Sequence, residues 1–149
     1  MDEIGLMGSL FASRRRRSAD MLRAFGITLQ QFYLVQLARR RGAITPSAAA
    51  AELACDRPTA TLVAQKCVSR GWLIRSRSES DGRSSRLELS GEGEELLDRI
   101  EATRLFSPAI LGDPFDVLEP MERQAFQATL RKVEARSREL LGPSRVSRS

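Results

Sequence analysis

The 149-residue chain contains no histidine, only two cysteines and no apolar run long enough to span a membrane. Histidine is the commonest general base and the commonest metal ligand, so its absence removes the main support for an enzyme or a metal centre. Cys55 and Cys67 are not in a CxxC or metal-binding spacing. We therefore expect a protein that is not an enzyme and needs neither a metal nor a cofactor.

The chain starts with Met1-Asp2-Glu3, which is acidic and leads into no apolar segment of a secretory signal. Hydrophobic residues make up 42% and charged residues 29% of the sequence, the balance of a folded globular protein. We expect a cytoplasmic protein of one domain, or of two small lobes that share a core, without membrane contact.

The excess of basic residues is almost entirely arginine, and it is unevenly distributed. The chain has 22 arginines, two lysines and 19 acidic residues. Residues 57–86 contain seven basic and two acidic residues, whereas residues 87–139 contain seven basic and twelve acidic ones. Arginine suits bidentate contacts with phosphates and guanine edges. This pattern indicates that the first segment meets a polyanion, although charge alone is equally consistent with an ordinary solvated surface.

Amphipathic helices are predicted towards both ends of the chain. Apolar residues at helical spacing predict helices over residues 8–25 and over about 119–141. A further helix is predicted after Ser90, with Leu105 on its apolar face, and residues 107–116 predict a break. Because such terminal helices would leave an apolar stripe exposed on a single chain, we expect a second copy to cover it.

Three helix starts are predicted in the middle of the chain. Thr28 and Gln31 have the spacing of a capping box. Thr45 followed by Pro46 is an N-cap followed by the residue favoured at the first helical position. Asp56 is the next N-cap, and only a two-residue corner separates its helix from the preceding one. This spacing is typical of a helix-turn-helix.

A β-hairpin is predicted after the last of these helices, because apolar residues alternate with polar ones over residues 72–77 and 86–89. The predicted fold is mainly α with a small β-hairpin wing (α+β), a winged helix-turn-helix with long N- and C-terminal dimerisation helices. We expect the DNA-binding domain at residues 28–90 and the helical dimerisation region at residues 1–27 and 91–149.

The second helix of this unit is expected to enter a DNA major groove. Its outward side would offer short hydroxyls, one amide and basic groups to base edges and phosphates. Two arginines of the hairpin, Arg75 and Arg77, are expected either to contact phosphates or simply to solvate the strand. The predicted contacts on the helix are Arg57, Thr59, Thr61, Gln65 and Lys66.

Residues 26–104 resemble the MarR family of bacterial transcriptional regulators. The run Arg57-Pro58-Thr59-Ala60-Thr61 is similar to the start of the family's recognition helix, Asp81-Gly82-Arg83 to its D-x-R wing tip, and Leu89-Ser90 with Gly93 to its L-T-x-x-G motif. Pro58 and Ala60 depart from the small polar residue and the valine that are usual in the family.

The resemblance implies a homodimer that binds a pseudo-palindromic operator in double-stranded DNA, most often as a repressor. It implies that Arg83 contacts the DNA from the wing, with Asp81 holding its guanidinium. It also implies a small-molecule effector as a further partner, in a cleft for which we single out Phe25, Phe32 and Tyr33.

Two alternatives stay open at this point. A winged helix can serve as a protein-interaction module without binding DNA, and an electrophoretic shift with random DNA would separate the two. A thiol-based redox-sensing regulator is the other alternative, acting through Cys55 or Cys67. Cys67, on the predicted inward side of its helix, is expected to pack as a small apolar residue.

Overall fold

The computed structural model describes residues 1–77 and 85–141. None of the helices in these ranges has the length and apolar character that crossing a membrane requires. The chain divides into two compact units, Met1–Leu111 and Gly112–Ser149. The elements in the described residues are α1 (Glu3–Leu22), a 3₁₀ turn (Arg23–Phe25), α2 (Leu29–Arg41), α3 (Pro46–Leu53), α4 (Arg57–Ser69), β1 (Leu73–Arg77), β2 (Ser85–Leu89), α5 (Gly91–Ala102), α6 (Pro108–Leu111) and α7 (Pro120–Leu141).

The fold class predicted from the sequence is confirmed, and so are the three helix starts. Thr28 Oγ1 accepts a hydrogen bond from Gln31 N at 3.2 Å, and Gln31 Oε1 accepts one from Thr28 N at 2.9 Å, which completes the capping box of α2. Thr45 caps α3 by accepting from the backbone N–H of Ala48 at 3.2 Å. These bonds use N–H groups that the first turn of a helix leaves without partners.

The corner between α3 and α4 is built from small residues. Ala49 and Ala50 are buried where the two helices cross. Ala54 ends α3 in the left-handed region at φ 49°, which reverses the chain within two residues. The N–H of Cys55 then donates to the carbonyl of Ala50 at 3.1 Å. The short corner therefore projects α4 from α3 as a helix-turn-helix requires.

The hairpin is antiparallel, with Leu73 opposite Leu89 and Arg77 opposite Ser85. A residue outside the two strands extends this sheet. The N–H of Ile44 donates to the carbonyl of Leu87 and the N–H of Leu87 donates to the carbonyl of Ile44, both at 2.9 Å. Ile44 directly precedes the cap of α3, so the base of the hairpin is fixed to the start of the helix-turn-helix.

The L-S-x-x-G sequence has a specific structural role at the start of α5. Ser90 Oγ accepts from the N–H of Gly93 at 3.0 Å and donates to the carbonyl of Gly71, which follows α4. A Cβ on Gly93 would collide with the backbone carbonyl of Trp72. Glycine at this position therefore lets α5 pack directly against the chain segment that links α4 to β1.

The first helix differs from its prediction over residues 8–25. It begins at Glu3, because Asp2 Oδ1 accepts from the N–H of Gly5 at 2.8 Å and caps the helix there. It ends at Leu22, and the predicted last turn is the 3₁₀ turn Arg23–Phe25. Gly26, directly after this turn, is left-handed at φ 69° and ends the helical segment.

The chain after α5 also differs from its prediction. Helix α5 ends at Ala102, so Leu105 is buried but lies beyond the helix on which it was predicted. Arg104, in the left-handed region at φ 52°, turns the chain before Leu105. The predicted break over residues 107–116 contains the one-turn helix α6.

The second unit consists of a short segment and the long helix α7. Phe115 and Phe126 pack with ring centroids 5.5 Å apart. Arg123 pairs with Asp113 at 2.8 Å, and its guanidinium lies 5.9 Å from the ring centroid of Phe115. These contacts fix the segment before α7 against its first turns, whereas apolar residues further along, such as Val133 and Leu140, are exposed.

Candidate nucleic-acid interface

Helix α4 has one fully apolar side and one exposed side. The inward side carries Ala60, Val63, Ala64 and Cys67, all of which are buried, as was predicted for Cys67. Because a helix repeats every 3.6 residues, a row of side chains lies directly opposite this buried side. Positions i, i+4, i+7 and i+11 form that row, and all four residues are exposed: Pro58, Leu62, Gln65 and Ser69.

The structure separates the five contacts predicted on this helix into two groups. Arg57, Gln65 and Lys66 are exposed. Thr59 and Thr61 are half-buried on the flanks of the helix rather than on its outermost row. The exposed three are placed to meet a ligand directly, whereas the two threonines reach it only from the sides.

Both threonines are engaged within their own helix. Thr61 Oγ1 donates to the carbonyl of Arg57 at 2.8 Å. The backbone N–H of Thr59 donates to Asp56 Oδ1 at 2.7 Å, and this bond, followed by one from the Thr59 hydroxyl, lowers the pKa of Asp56 from its ordinary value. With their hydroxyl hydrogens engaged, the threonines can act towards a base edge as acceptors.

Sequence reasoning missed three residues of the outermost row, namely Pro58, Leu62 and Ser69. Leu62 has 59% of its surface exposed, although leucine at a helix position is normally taken as core. The signal was available in the sequence, because the inward side of α4 was predicted correctly and Leu62 lies away from it on a helical projection.

The two hairpin arginines lie on the same side of β1 as the buried Leu73, since side chains alternate along a strand. Arg75 Nη1 donates to Ser85 Oγ across the hairpin at 3.2 Å. Arg75 and Thr61 line the same small crevice between the hairpin and α4. Arg75 is therefore directly beside α4, and Arg77 is exposed further along the strand.

Asp81 and Arg83, the predicted wing contacts, lie outside the described residues. Their assignment stays a prediction that rests on the D-x-R sequence between the two strands.

The positive charge of this region is not neutralised by the described carboxylates. None of the ion pairs among residues 1–77 and 85–141 involves the exposed cations of α4 and β1. An unneutralised cationic surface around a protruding helix attracts a polyanion such as DNA. We name this set the basic surface: Arg57, Lys66, Arg75 and Arg77.

A separate cleft of about 620 Å³ lies in the first unit, between α1, α2 and the segment after α5. Phe32 stacks on Phe106 with ring centroids 5.0 Å apart, and its centroid lies 6.0 Å from that of Tyr33. Phe25, the third aromatic residue singled out from the sequence, packs on the core and is not part of the lining. The lining residues are Phe11, Arg14, Arg15, Ser18, Phe32, Tyr33, Gln36, Phe106 and Leu111.

The two cysteines have no disulfide, and they differ in exposure. Cys67 is completely buried, and this burial raises the pKa of its thiol to about 12. A thiol with such a pKa stays protonated and unreactive at neutral pH, because the thiolate is the nucleophile. Cys55 is half-buried in the corner before α4 and packs against the core. Within the described residues, no cluster of cysteine and acidic side chains could hold a metal ion.

The MarR family model matches residues 27–85, the segment from the residue before the α2 cap to the first residue of β2. No curated protein sequence matches the chain.

Solved structures resemble almost the whole chain. Apo MarR from Escherichia coli has a TM-score of 0.74 at 21% identity, over 89% of this chain and 97% of that one. A cysteine-to-serine variant of that protein complexed with operator DNA has a TM-score of 0.73 at 23% identity, over 86% and 90% of the two chains. BpsR from Bordetella bronchiseptica, whose DNA binding is regulated by 6-hydroxynicotinic acid, has a TM-score of 0.72 at 22% identity, over 89% and 93%. The resemblance to the MarR family is confirmed.

Proposed function

We propose that this chain, which has the MarR fold and matches the MarR family over residues 27–85, is a transcriptional regulator that binds operator DNA. The observation that carries the proposal is the protruding side of α4. Gln65 lies on its outermost row, and the cations of the basic surface flank it without described acidic partners. An α-helix fits the major groove, where an amide can read adenine and arginine can read guanine or bind phosphate.

In this proposal the hairpin contributes contacts outside the major groove. Arg75 and Arg77 bind backbone phosphates beside α4, and Arg83 reaches phosphates or the minor groove with support from Asp81. Phosphate contacts supply affinity and set the register, whereas contacts to base edges supply sequence specificity. Residues 28–90 then form the DNA-binding domain, and residues 1–27 and 91–149 form the dimerisation region.

The proposed active form is a homodimer on a pseudo-palindromic operator. Support comes from large apolar residues that are exposed on helices of each unit taken separately. Ile4, Leu6 and Phe11 are exposed on α1, and Met121 and Val133 are exposed on α7. Contiguous exposed apolar surface is typical of a protein interface, and a twofold dimer would present two copies of α4 to two half-sites.

The proposed repressor is released by a small-molecule effector in the aromatic cleft. The stacked rings of Phe32 and Phe106 suit a planar apolar ligand, and Arg15, which also lines the cleft, suits an anionic substituent. BpsR, with the same fold, responds to an aromatic acid. An effector that binds one dimer geometry more tightly shifts the population away from the geometry that matches the half-site spacing.

The test is selection of binding fragments from random double-stranded DNA by the purified full-length protein, with sedimentation to determine its oligomeric state. We expect enrichment of an inverted repeat and a dimer. Binding without enrichment of any sequence would overturn the assignment as a specific regulator. No binding to DNA at low salt would instead favour the protein-interaction module.

The effector part of the proposal has its own test. A panel of aromatic carboxylic acids is added to the operator complex, and the fraction of bound DNA is measured for the wild type and for Phe32→Ala. We expect release of the wild-type protein by at least one acid and weaker release of the variant. Equal release of both proteins would contradict the placement of the effector in this cleft.

A further inference from the structure

The most exposed apolar residue on the basic side of the molecule is Leu62, on the outermost row of α4. Its 59% exposed surface contrasts with the buried side of the same helix, where Ala60, Ala64 and Cys67 are at most 3% exposed. On the exposed side of α4, Leu62 lies next to Pro58, Gln65 and Lys66, so the apolar surface around it is limited to one proline, which is too small an apolar patch to serve as a protein interface.

We infer that Leu62 contacts the C5-methyl group of a thymine in the operator and thereby determines part of the half-site sequence. This inference rests on the proposed function and deepens it. In the major groove, the thymine methyl group is the apolar feature that an aliphatic side chain can recognise. A leucine exposed on the side of α4 that also carries Gln65 gains free energy by leaving water when it meets such a group in the groove.

The spacing of Leu62 and Gln65 places the contacted thymine close to the base that Gln65 reads. Three residues correspond to a rise of about 4.5 Å along the helix axis. Base pairs along the duplex are about 3.4 Å apart. Because Gln65 is suited to bidentate contacts with adenine N6 and N7, we expect the thymine within one or two base pairs of an adenine in the same half-site.

The flanking side chains restrict what else Leu62 can reach. Arg57 and Lys66 lie on the same helix on either side of Leu62 along the chain, and both are exposed. Cations in these positions draw the helix towards the two phosphate backbones that border the groove. The outermost row between them then faces the base edges. There Leu62 recognises an apolar group and Gln65 recognises polar groups.

The experiment begins with the half-site that the wild-type protein selects from random DNA. Each thymine of that half-site is then replaced by deoxyuridine, which removes the methyl group and leaves the base-pairing edge unchanged. Equilibrium affinities are measured for the wild type, Leu62→Ala, Leu62→Met and Gln65→Ala. Melting temperatures check that the variants are folded, as expected for a solvent-exposed position.

For the wild type, we expect one thymine whose replacement weakens binding by about fourfold per half-site, the effect of one methyl group left in water. Leu62→Ala should lose this sensitivity, and Leu62→Met should keep it because methionine retains an apolar contact. Gln65→Ala should lose a preference at a nearby base pair while it keeps the sensitivity to the methyl group.

Two results would overturn the inference. One is a wild-type protein whose affinity is unchanged by every thymine replacement. The other is a Leu62→Ala variant that keeps the full methyl sensitivity of the wild type. A wild-type protein that selects no sequence at all is a different result, because it contradicts the proposed function before Leu62 is tested.

Discussion

Two groups of basic side chains in this protein have opposite electrostatic surroundings. At the end of α2, Arg39 lies within ion-pair distance of three carboxylates of α5, at 3.0 Å from Glu94, 2.8 Å from Asp98 and 3.2 Å from Glu101, and it donates a hydrogen bond to Asp98. The basic surface on α4 and β1 has no described carboxylate in ion-pair contact. The same residue type therefore ties two helices together in one region and is left available for a ligand in the other.

The difference follows from where the acidic residues lie on their own helices. Glu94, Asp98 and Glu101 are spaced four and three residues apart, so they form one row on α5 that faces the end of α2. Arg40, next to Arg39, pairs instead with Glu52 of α3 at 2.7 Å. Acidic residues are concentrated after residue 87, which leaves α4 and β1 without such partners.

The largest expected effect comes from removing charge from the basic surface. Wild-type affinity for the operator should fall by ~10³ or more between about 50 and about 200 mM salt if the dimer makes six or more phosphate contacts. The triple variant Arg57→Gln, Lys66→Gln, Arg75→Gln removes three charges per protomer. Its slope of log affinity against log salt should be smaller by about five. Titrations of labelled operator at several salt concentrations measure both slopes.

The matched control for this prediction is Arg40→Gln, which removes a cation that is already paired. We expect its salt slope to equal that of the wild type. If Arg40→Gln flattens the slope as the triple variant does, then the effect reports overall charge, and the distinction between the two groups fails.

The next effect in size concerns the wing. Arg83→Ala should weaken operator binding by about 1–3 kcal/mol and leave the preferred core sequence unchanged, because contacts to phosphates or to the minor groove carry little base identity. Asp81→Ala should weaken binding less, since it removes only the support of the arginine. Selection from random DNA with each variant, beside thermal melts, measures preference and folding together. An Arg83→Ala variant that binds as the wild type does would remove the wing from the interface.

The parts of the fold that depend on residues close together in the sequence were predicted better than the parts that depend on tertiary packing. Caps such as Thr28 with Gln31, and the L-S-x-x-G motif, are local, and they were predicted at the correct residues. The start of α1 was missed because Gly5 and Gly8, which disfavour a helix, lie in its first turns after the capping Asp2. The end of α5 was missed because Leu105 is buried by packing beyond the helix, and periodicity alone cannot separate these cases.

The candidate site was predictable to a similar degree. Residue type and helical position indicated Arg57, Gln65 and Lys66, which are exposed. Leu62 was missed because only hydroxyl, amide and basic side chains were considered as contacts on the outward side of α4. The partners of Arg39 could not be predicted, because Glu94 and Glu101 are distant in sequence and meet it only through the packing of α5 against α2. Local chemistry specifies the elements, whereas tertiary packing decides which charges are neutralised.

A smaller effect is expected on the free energy of unfolding when Arg39, which pairs with carboxylates of α5, is replaced. Arg39→Gln leaves three carboxylates on one row of α5 without their shared cation, and we expect a loss of about 1–2 kcal/mol in the free energy of unfolding. The side chain of Arg39 is 29% exposed and that of Arg40 is 59% exposed, and Arg39 pairs with three carboxylates whereas Arg40 pairs with one. Urea unfolding measures the change.

Arg40→Gln serves as the comparison. Because it breaks one pair instead of three, it should lose less than half as much. Repeating both measurements in about 1 M salt should reduce the difference between the variants, since salt screens the repulsion among the three carboxylates. A loss of stability that is equal for the two variants would contradict the assignment of Arg39 as the main link between α2 and α5.

The smallest expected effect concerns Asp56, the described carboxylate next to the basic surface. Asp56 accepts the N–H of Thr59 at the start of α4, and this bond lowers its pKa in the folded protein. A group whose pKa is lowered on folding stabilises the protein above its unfolded pKa of about 3.9, and this contribution is lost as pH falls through the folded value.

Asp56→Asn keeps a cap that does not titrate. The stability difference between wild type and variant, measured by thermal melts, should therefore be constant near neutral pH and shrink as pH falls below about 5. At neutral pH the variant should bind DNA slightly more tightly, because a negative charge near the phosphates is removed. If Asp56 instead neutralised Arg57, the variant would gain a full phosphate contact and a steeper salt slope, and the basic surface would no longer be unpaired in the free protein.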